Sequence, residues 1–206
     1  MTTTTPTPTA SRSTTRVPKT ELSGLMGSLL KRLMRKQLGA VPEPAEVFWH
    51  NKPVIKDMSA FGRKIAKWDQ LAPDLTTYAH MAVASQVGCS WCLDFNYFHA
   101  HNEGLDERKA SEVPRWRESD VFTSLERDVM EYAEAMTATP PRVTDDLSAR
   151  LLEQLGPAAL VELTAIVGFA NLSTRGNVAM GIESQEFSAV CALPLARPSV
   201  RSAESA

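Results

Sequence analysis

The sequence predicts an all-α fold, and three observations carry that prediction. Apolar side chains recur at three- and four-residue spacing from about residue 21 to residue 181. No run of strand length alternates apolar with polar residues. The punctuation between apolar stretches is that of helix ends, with Ser, Thr, Asp or Pro opening them and Gly closing them. At 206 residues, with 43% hydrophobic and 22% charged residues, the chain is long enough for one packed domain and excludes wholesale disorder.

Residues 1–20 hold nine threonines and three prolines. Such a segment buries too little apolar surface to offset its ordering entropy, so it is read as a disordered tail. Leu22, Leu25, Met26, Leu29, Leu30, Leu33 and Met34 then form one stripe of a basic amphipathic helix over 22–38, ended by Gly39 and Pro42. Its apolar face is expected to pack on the domain or on a neighbouring subunit. A second stretch runs from Ala45 to Trp68, with breaks expected near Pro53 and Gly62. Pro73 opens a helix to about Val87, and the next begins at Cys89 and closes at Gly104. Asp106 caps a short helix, and Thr123 with Glu126 forms a capping box before a helix to about Ala138. Thr144 caps a helix ending at Leu155–Gly156, and Pro157 starts the last long one, to about Gly181. The helical domain is assigned to 21–191, and 192–206 to a second flexible tail.

A net charge of -2 argues against a protein that neutralises nucleic-acid phosphates. No apolar run approaches the roughly 20 residues of a membrane span, and the first twenty residues lack a secretory core. The expected compartment is the cytoplasm. Three cysteines are too few, and odd in number, for a secreted disulfide scaffold. In a reducing compartment the one CxxC, Cys89 and Cys92, points to redox or metal chemistry.

Gly88 interrupts the preceding helix, so Cys89 falls at the first turn of the next. Unpaired amides and the positive helix end stabilise a thiolate there. The two sulfurs lie one turn apart on one face, as a thiol that attacks an oxidant and a thiol that resolves the sulfenic acid require. Zinc would need further ligands; His80, His99 and His101 show no zinc-ligand spacing, and no metal site is assigned. His80, on the preceding helix, is the histidine able to fold back toward the pair. Asn96, one turn after Cys92, is positioned to hydrogen-bond a thiolate or a bound peroxide. Asp94 reads as a capping or solvated carboxylate, and Glu162 as a solvated or ion-paired one, with a relay acid as its alternative. Trp91, Phe95, Tyr97 and Phe98 read as packing, and Cys191 has no partner in sequence range.

The run VASQVGCSWCLDFN, with Gly104–Leu105 after it, resembles the carboxymuconolactone decarboxylase-like superfamily, and within it the CxxC-containing alkylhydroperoxidase D-like branch. The resemblance is tightest from Leu71 to Ala110 and extends to Gly181, where Asn171, Arg175 and Asn177 are similar to the end of the family's last core helix. It implies a multi-helical bundle assembled into a homo-oligomer, a trimer or hexamer. It further implies a peroxiredoxin-type antioxidant peroxidase, with Cys92 attacking and Cys89 resolving. A hydroperoxide would be the substrate and an external thiol the reductant, with no organic cofactor. The branch also carries a relay histidine four residues after the second cysteine and a glutamate twelve before the first. This sequence has Asn96 and Thr77 there, neither of which titrates near neutral pH. A lactone-cleaving lyase and a non-catalytic redox sensor therefore stand as the alternatives.

Overall fold

The computed structural model describes residues 14–197 of the chain, and every regular element among them is helical. In chain order they are α1 (Gly24–Leu38), α2 (Glu43–Phe48), α3 (Lys52–Ile65), α4 (Pro73–Val87), α5 (Ser90–Asn102), α6 (Glu107–Glu112), α7 (Ser124–Thr137) and α8 (Asp145–Met180). Single 3-10 turns occupy Val113–Arg115 and Phe187–Val190.

Helix α4 is the centre of the bundle, packed between α5, α7 and α8. Tyr78, Ala79, Met81, Ala82, Val83 and Ala84 are all essentially sealed from solvent. Small residues in that run let three neighbours approach at once, which is why α4 shows no single apolar face. Leu163, Ile166, Val167 and Ala170 of α8 and Val129, Met130 and Ala133 of α7 complete the core.

The predicted side-chain caps operate: Asp106 and Thr144 accept from the Lys109 and Leu147 amides, and Thr123 and Glu126 form a reciprocal capping box. Asn51 adds a cap that was not predicted, accepting from the Val54 amide. The break in the second stretch falls at Trp49–Asn51, with Pro53 in the first turn of α3, where a missing amide costs nothing. Gly62 does not break α3; it gives room to the Phe169 ring, 3.3 Å from where a Cβ would stand. At Gly156 the backbone takes φ 74°, which kinks α8 where Pro157 restarts it.

The α1 stripe packs on the domain only in part: Leu30 and Met34 join Leu22, Val41 and Ala45 in a small separate cluster, while Leu25, Met26, Leu29 and Leu33 stay exposed. Two expectations need correction. The proposed tails are only partly tails. Residues 1–13 and 198–206 lie outside the described residues, but 14–20 and 192–197 are held. The amide of Arg16 donates to the Met180 carbonyl at 2.8 Å and its guanidinium to Val178 and Ala179, so it serves the acceptors that a helix end leaves open. Lys19 pairs with buried Glu43. At the other end Leu193 and Ala196 bond to Glu107 and Ser111. Finally, α8 is long and apolar enough by length and composition to cross a membrane. Its buried Glu162 nevertheless accepts from the Gln70 and Leu71 amides, and its core residues pack on α4 and α7.

Candidate active site

The turn between α4 and α5 is two residues long, Gly88 and Cys89. Gly88 takes φ 79°, a left-handed conformation that a side chain would strain, and the amides of Gly88 and Cys89 both donate to the Ala84 carbonyl at 2.9 Å. The chain therefore reverses at once, and Cys89 becomes the N-cap of α5. Its Sγ occupies the place usually taken by a Ser or Asp oxygen and accepts from the Cys92 amide at 3.2 Å. Cys89 and Cys92 are joined as a disulfide, with Cα atoms 5.3 Å apart. Cys89 is 0% exposed and Cys92 4%, so both sulfurs are buried.

The last turn of α8 supplies a further polar contact to the sulfurs. Asn177, itself buried, donates its side-chain amide to Cys92 Sγ at 3.4 Å. Asn171 and Arg175 do not reach the sulfurs. Arg175 donates to the Thr137 carbonyl at 2.6 Å and to Asn171 Oδ1, and Asn171 donates to Thr137 Oγ1, which together close the end of α7. Of these three polar residues, one reaches a sulfur and two close the packing of α7 on α8.

The supporting residues expected from sequence are placed differently. Asn96 sits one turn after Cys92, but its amide donates to the Cys92 carbonyl at 2.7 Å rather than to sulfur. A short amide side chain finds its own helix backbone first. His80 makes no hydrogen bond to either cysteine among the described residues. Its ring faces Phe169, its Nε2 is enclosed without a partner, and burial, then the nearby His99, push its pKa down to about 4. It is neutral at pH 7. Glu162 accepts from the Gln70 and Leu71 amides at 3.1 Å each, anchoring the entry to α4. Thr77 is buried in α4.

Asp94 is neither solvated nor an end cap. It is buried and accepts from Ser184 Oγ, the Gln185, Phe187 and Ser188 amides, and Ser188 Oγ, binding the segment after α8 onto the outer face of α5. Gln185 extends this clamp by accepting from Trp91 Nε1 at 3.0 Å and from the Glu43 amide. Trp91 stacks on Phe95 at 4.8 Å, and Phe95 and Phe98 meet Phe187 at 5.7 and 5.8 Å. These aromatics pack a strap onto α5, as packing residues should. Asp94 and Gln185 escape sequence reading because their partners lie about ninety residues away and leave no periodic trace.

Comparison with known proteins follows from this geometry. The model of the carboxymuconolactone decarboxylase family matches residues 54–135, which span α3 to most of α7. YnjA of Escherichia coli (strain K12), an uncharacterised protein, is 34% identical over 164 residues, covering 79% of this chain and 88% of its own. A peroxidase-related protein with an alkylhydroperoxidase AhpD core, from Ralstonia eutropha JMP134, superposes with a TM-score of 0.73 at 18% identity, covering 84% of this chain and 94% of that one. A cysteine-to-alanine variant of the debrominase Bmp8 in complex with 2,3,4-tribromopyrrole gives 0.70 at 18% identity, over 79% and 87%. At such identities the two structures speak for the helical bundle alone.

Proposed function

The chain belongs to the carboxymuconolactone decarboxylase family, and on that premise we propose that it is a thiol-dependent reductase of hydroperoxides, with Cys92 attacking and Cys89 resolving. The observation that carries the reading is the division of labour around the sulfurs: Asn177 donates to Cys92, and the N-terminus of α5 donates to Cys89.

Reduced Cys92 attacks the terminal oxygen of the hydroperoxide. A sulfur–oxygen bond forms, the oxygen–oxygen bond breaks, and the alkoxide leaves with a proton from water as the alcohol. Cys89, held as a thiolate by the helix end, then attacks the Cys92 sulfenic acid, and hydroxide leaves, protonated to water. The same helix end makes Cys89 the better leaving group when an external dithiol attacks Cys92 and returns two electrons. No titratable side chain hydrogen-bonds either sulfur among the described residues, so protons come from solvent. That supports a slower reaction than one with a side-chain relay, which contributes on the order of a hundredfold or more.

Exposed Val161 and Leu172 on α8 support assembly into a homo-oligomer, the trimer or hexamer the resemblance implies. The test is turnover of tert-butyl hydroperoxide by reduced protein with excess dithiol. Repeated turnover that vanishes in Cys92→Ser supports the reading. A single stoichiometric oxidation of the pair without turnover makes the protein a sensor, and lactone cleavage indifferent to Cys92→Ser makes it a lyase.

A further inference from the structure

The segment after α8 brings a thiol to two side chains far from it in sequence. His101 stands on the last turn of α5, Glu107 on the first turn of α6, and Cys191 just beyond the turn Phe187–Val190. One ligand atom from each lies within 4.8 Å of the other two. His101 Nδ1 is 3.2 Å from Glu107 Oε2. The other carboxylate oxygen, Oε1, is already oriented, accepting from the Leu193 amide at 3.0 Å and from Tyr97 OH at 3.3 Å.

We propose that His101, Glu107 and Cys191 form a binding site for a zinc-type divalent cation, which fastens the C-terminal segment to α5 and α6. The donor set selects the class of ion. Thiolate and imidazole are ligands of zinc and its neighbours, whereas calcium and magnesium require oxygen. Three protein ligands leave a fourth tetrahedral position to water, and all three residues keep some surface accessible. Zinc–ligand bonds of about 2.0–2.3 Å set ligand atoms roughly 3.5 Å apart, so the cluster needs to contract by about 1 Å. The side chains of His101, 35% exposed, and Glu107, 22% exposed, have room to do so. The Tyr97 and Leu193 bonds to Oε1 are the outer support that ligating carboxylates ordinarily have.

The Glu107 carboxylate supplies negative charge that a divalent cation compensates. On binding, the thiol proton passes to solvent, a sulfur–metal bond replaces a metal–water bond, and no electrons move. Coordination also withdraws the chain's third cysteine from exchange with Cys89 and Cys92.

The experiment uses the full chain with the Cys89–Cys92 disulfide formed and no added reductant, so that Cys191 is the remaining thiol. Titration with Co²⁺ should give a thiolate-to-cobalt charge-transfer band saturating at one equivalent. Zn²⁺, in competition with a chromogenic chelator, should bind about a hundredfold more weakly in Cys191→Ser and in His101→Ala. Saturating Zn²⁺ should slow alkylation of Cys191 by N-ethylmaleimide in the wild-type chain at least tenfold, a readout that needs no variant to fold. Absence of the charge-transfer band, zinc affinity unchanged in Cys191→Ser, or alkylation unaffected by zinc overturns the site.

Discussion

The side-chain amide of Asn177 donates to the sulfur of Cys92 at 3.4 Å, joining residues 85 positions apart in the sequence. The contact is buried, and it pairs the last turn of α8 with the first turn of α5. In the reduced protein the same donor faces a developing thiolate in low dielectric, where a hydrogen bond to charge weighs most.

Asn177→Ala removes that donor. A net loss of about 1 kcal/mol for the charged sulfur predicts roughly a fivefold lower thiolate population at Cys92. Iodoacetamide alkylation of reduced Cys92 at pH 7 should slow by about that factor, and an unchanged rate would deny Asn177 its role. Asn96→Ala, whose side chain bonds a helix carbonyl, should leave the rate within twofold.

Glu162 separates an anchor from a relay acid. Its carboxylate holds the Gln70 and Leu71 amides, so Glu162→Ala should destabilise the fold by about 2 kcal/mol in urea denaturation. Peroxide turnover per folded molecule should not change. A turnover loss without a stability loss would restore Glu162 to the chemistry.

Asp94 binds the strap of residues 184–188. Asp94→Ala strands the Phe187 and Ser188 amides, and the expected cost is about 3 kcal/mol or more. Asp94→Asn keeps one acceptor oxygen and should lose less. Equal stability of the two variants would contradict this assignment.

Acid should destabilise the protein through His80. Its folded pKa of about 4 lies below the ordinary 6.5, so between those values the unfolded chain binds more protons. The stability contributed by the neutral ring is complete above pH 6.5 and is lost as pH falls through 4. By pH 5 the loss amounts to about 2 kcal/mol. His80→Leu should flatten that part of the stability profile, and a variant with the wild-type slope would place the acid sensitivity elsewhere.

Local signals made much of the architecture legible. Gly88, Thr123 with Glu126, Thr144 and Pro157 each act over three or four residues, and the helix ends they predict are the ones observed. The cysteine pair was legible for the same reason, since Gly88 sets both the turn and the N-cap. What failed to show was relational. Asn96 had the right helical phase, but phase does not reveal that its own backbone takes the amide. His80 lies on the neighbouring helix yet faces Phe169. Asp94 and Cys191 depend on a strap that returns from beyond α8, and no periodicity encodes that return.

The order of the two thiols is the centre of the account, and sulfenic-acid trapping tests it most directly. Reduced Cys89→Ser and Cys92→Ser proteins are each given one equivalent of tert-butyl hydroperoxide with dimedone present, and the adduct is located by peptide mass spectrometry. The account predicts a stoichiometric adduct on Cys92 in Cys89→Ser and little on Cys89 in Cys92→Ser. An adduct that forms faster on Cys89 would reverse the roles, with the helix-end thiolate attacking and Cys92 resolving.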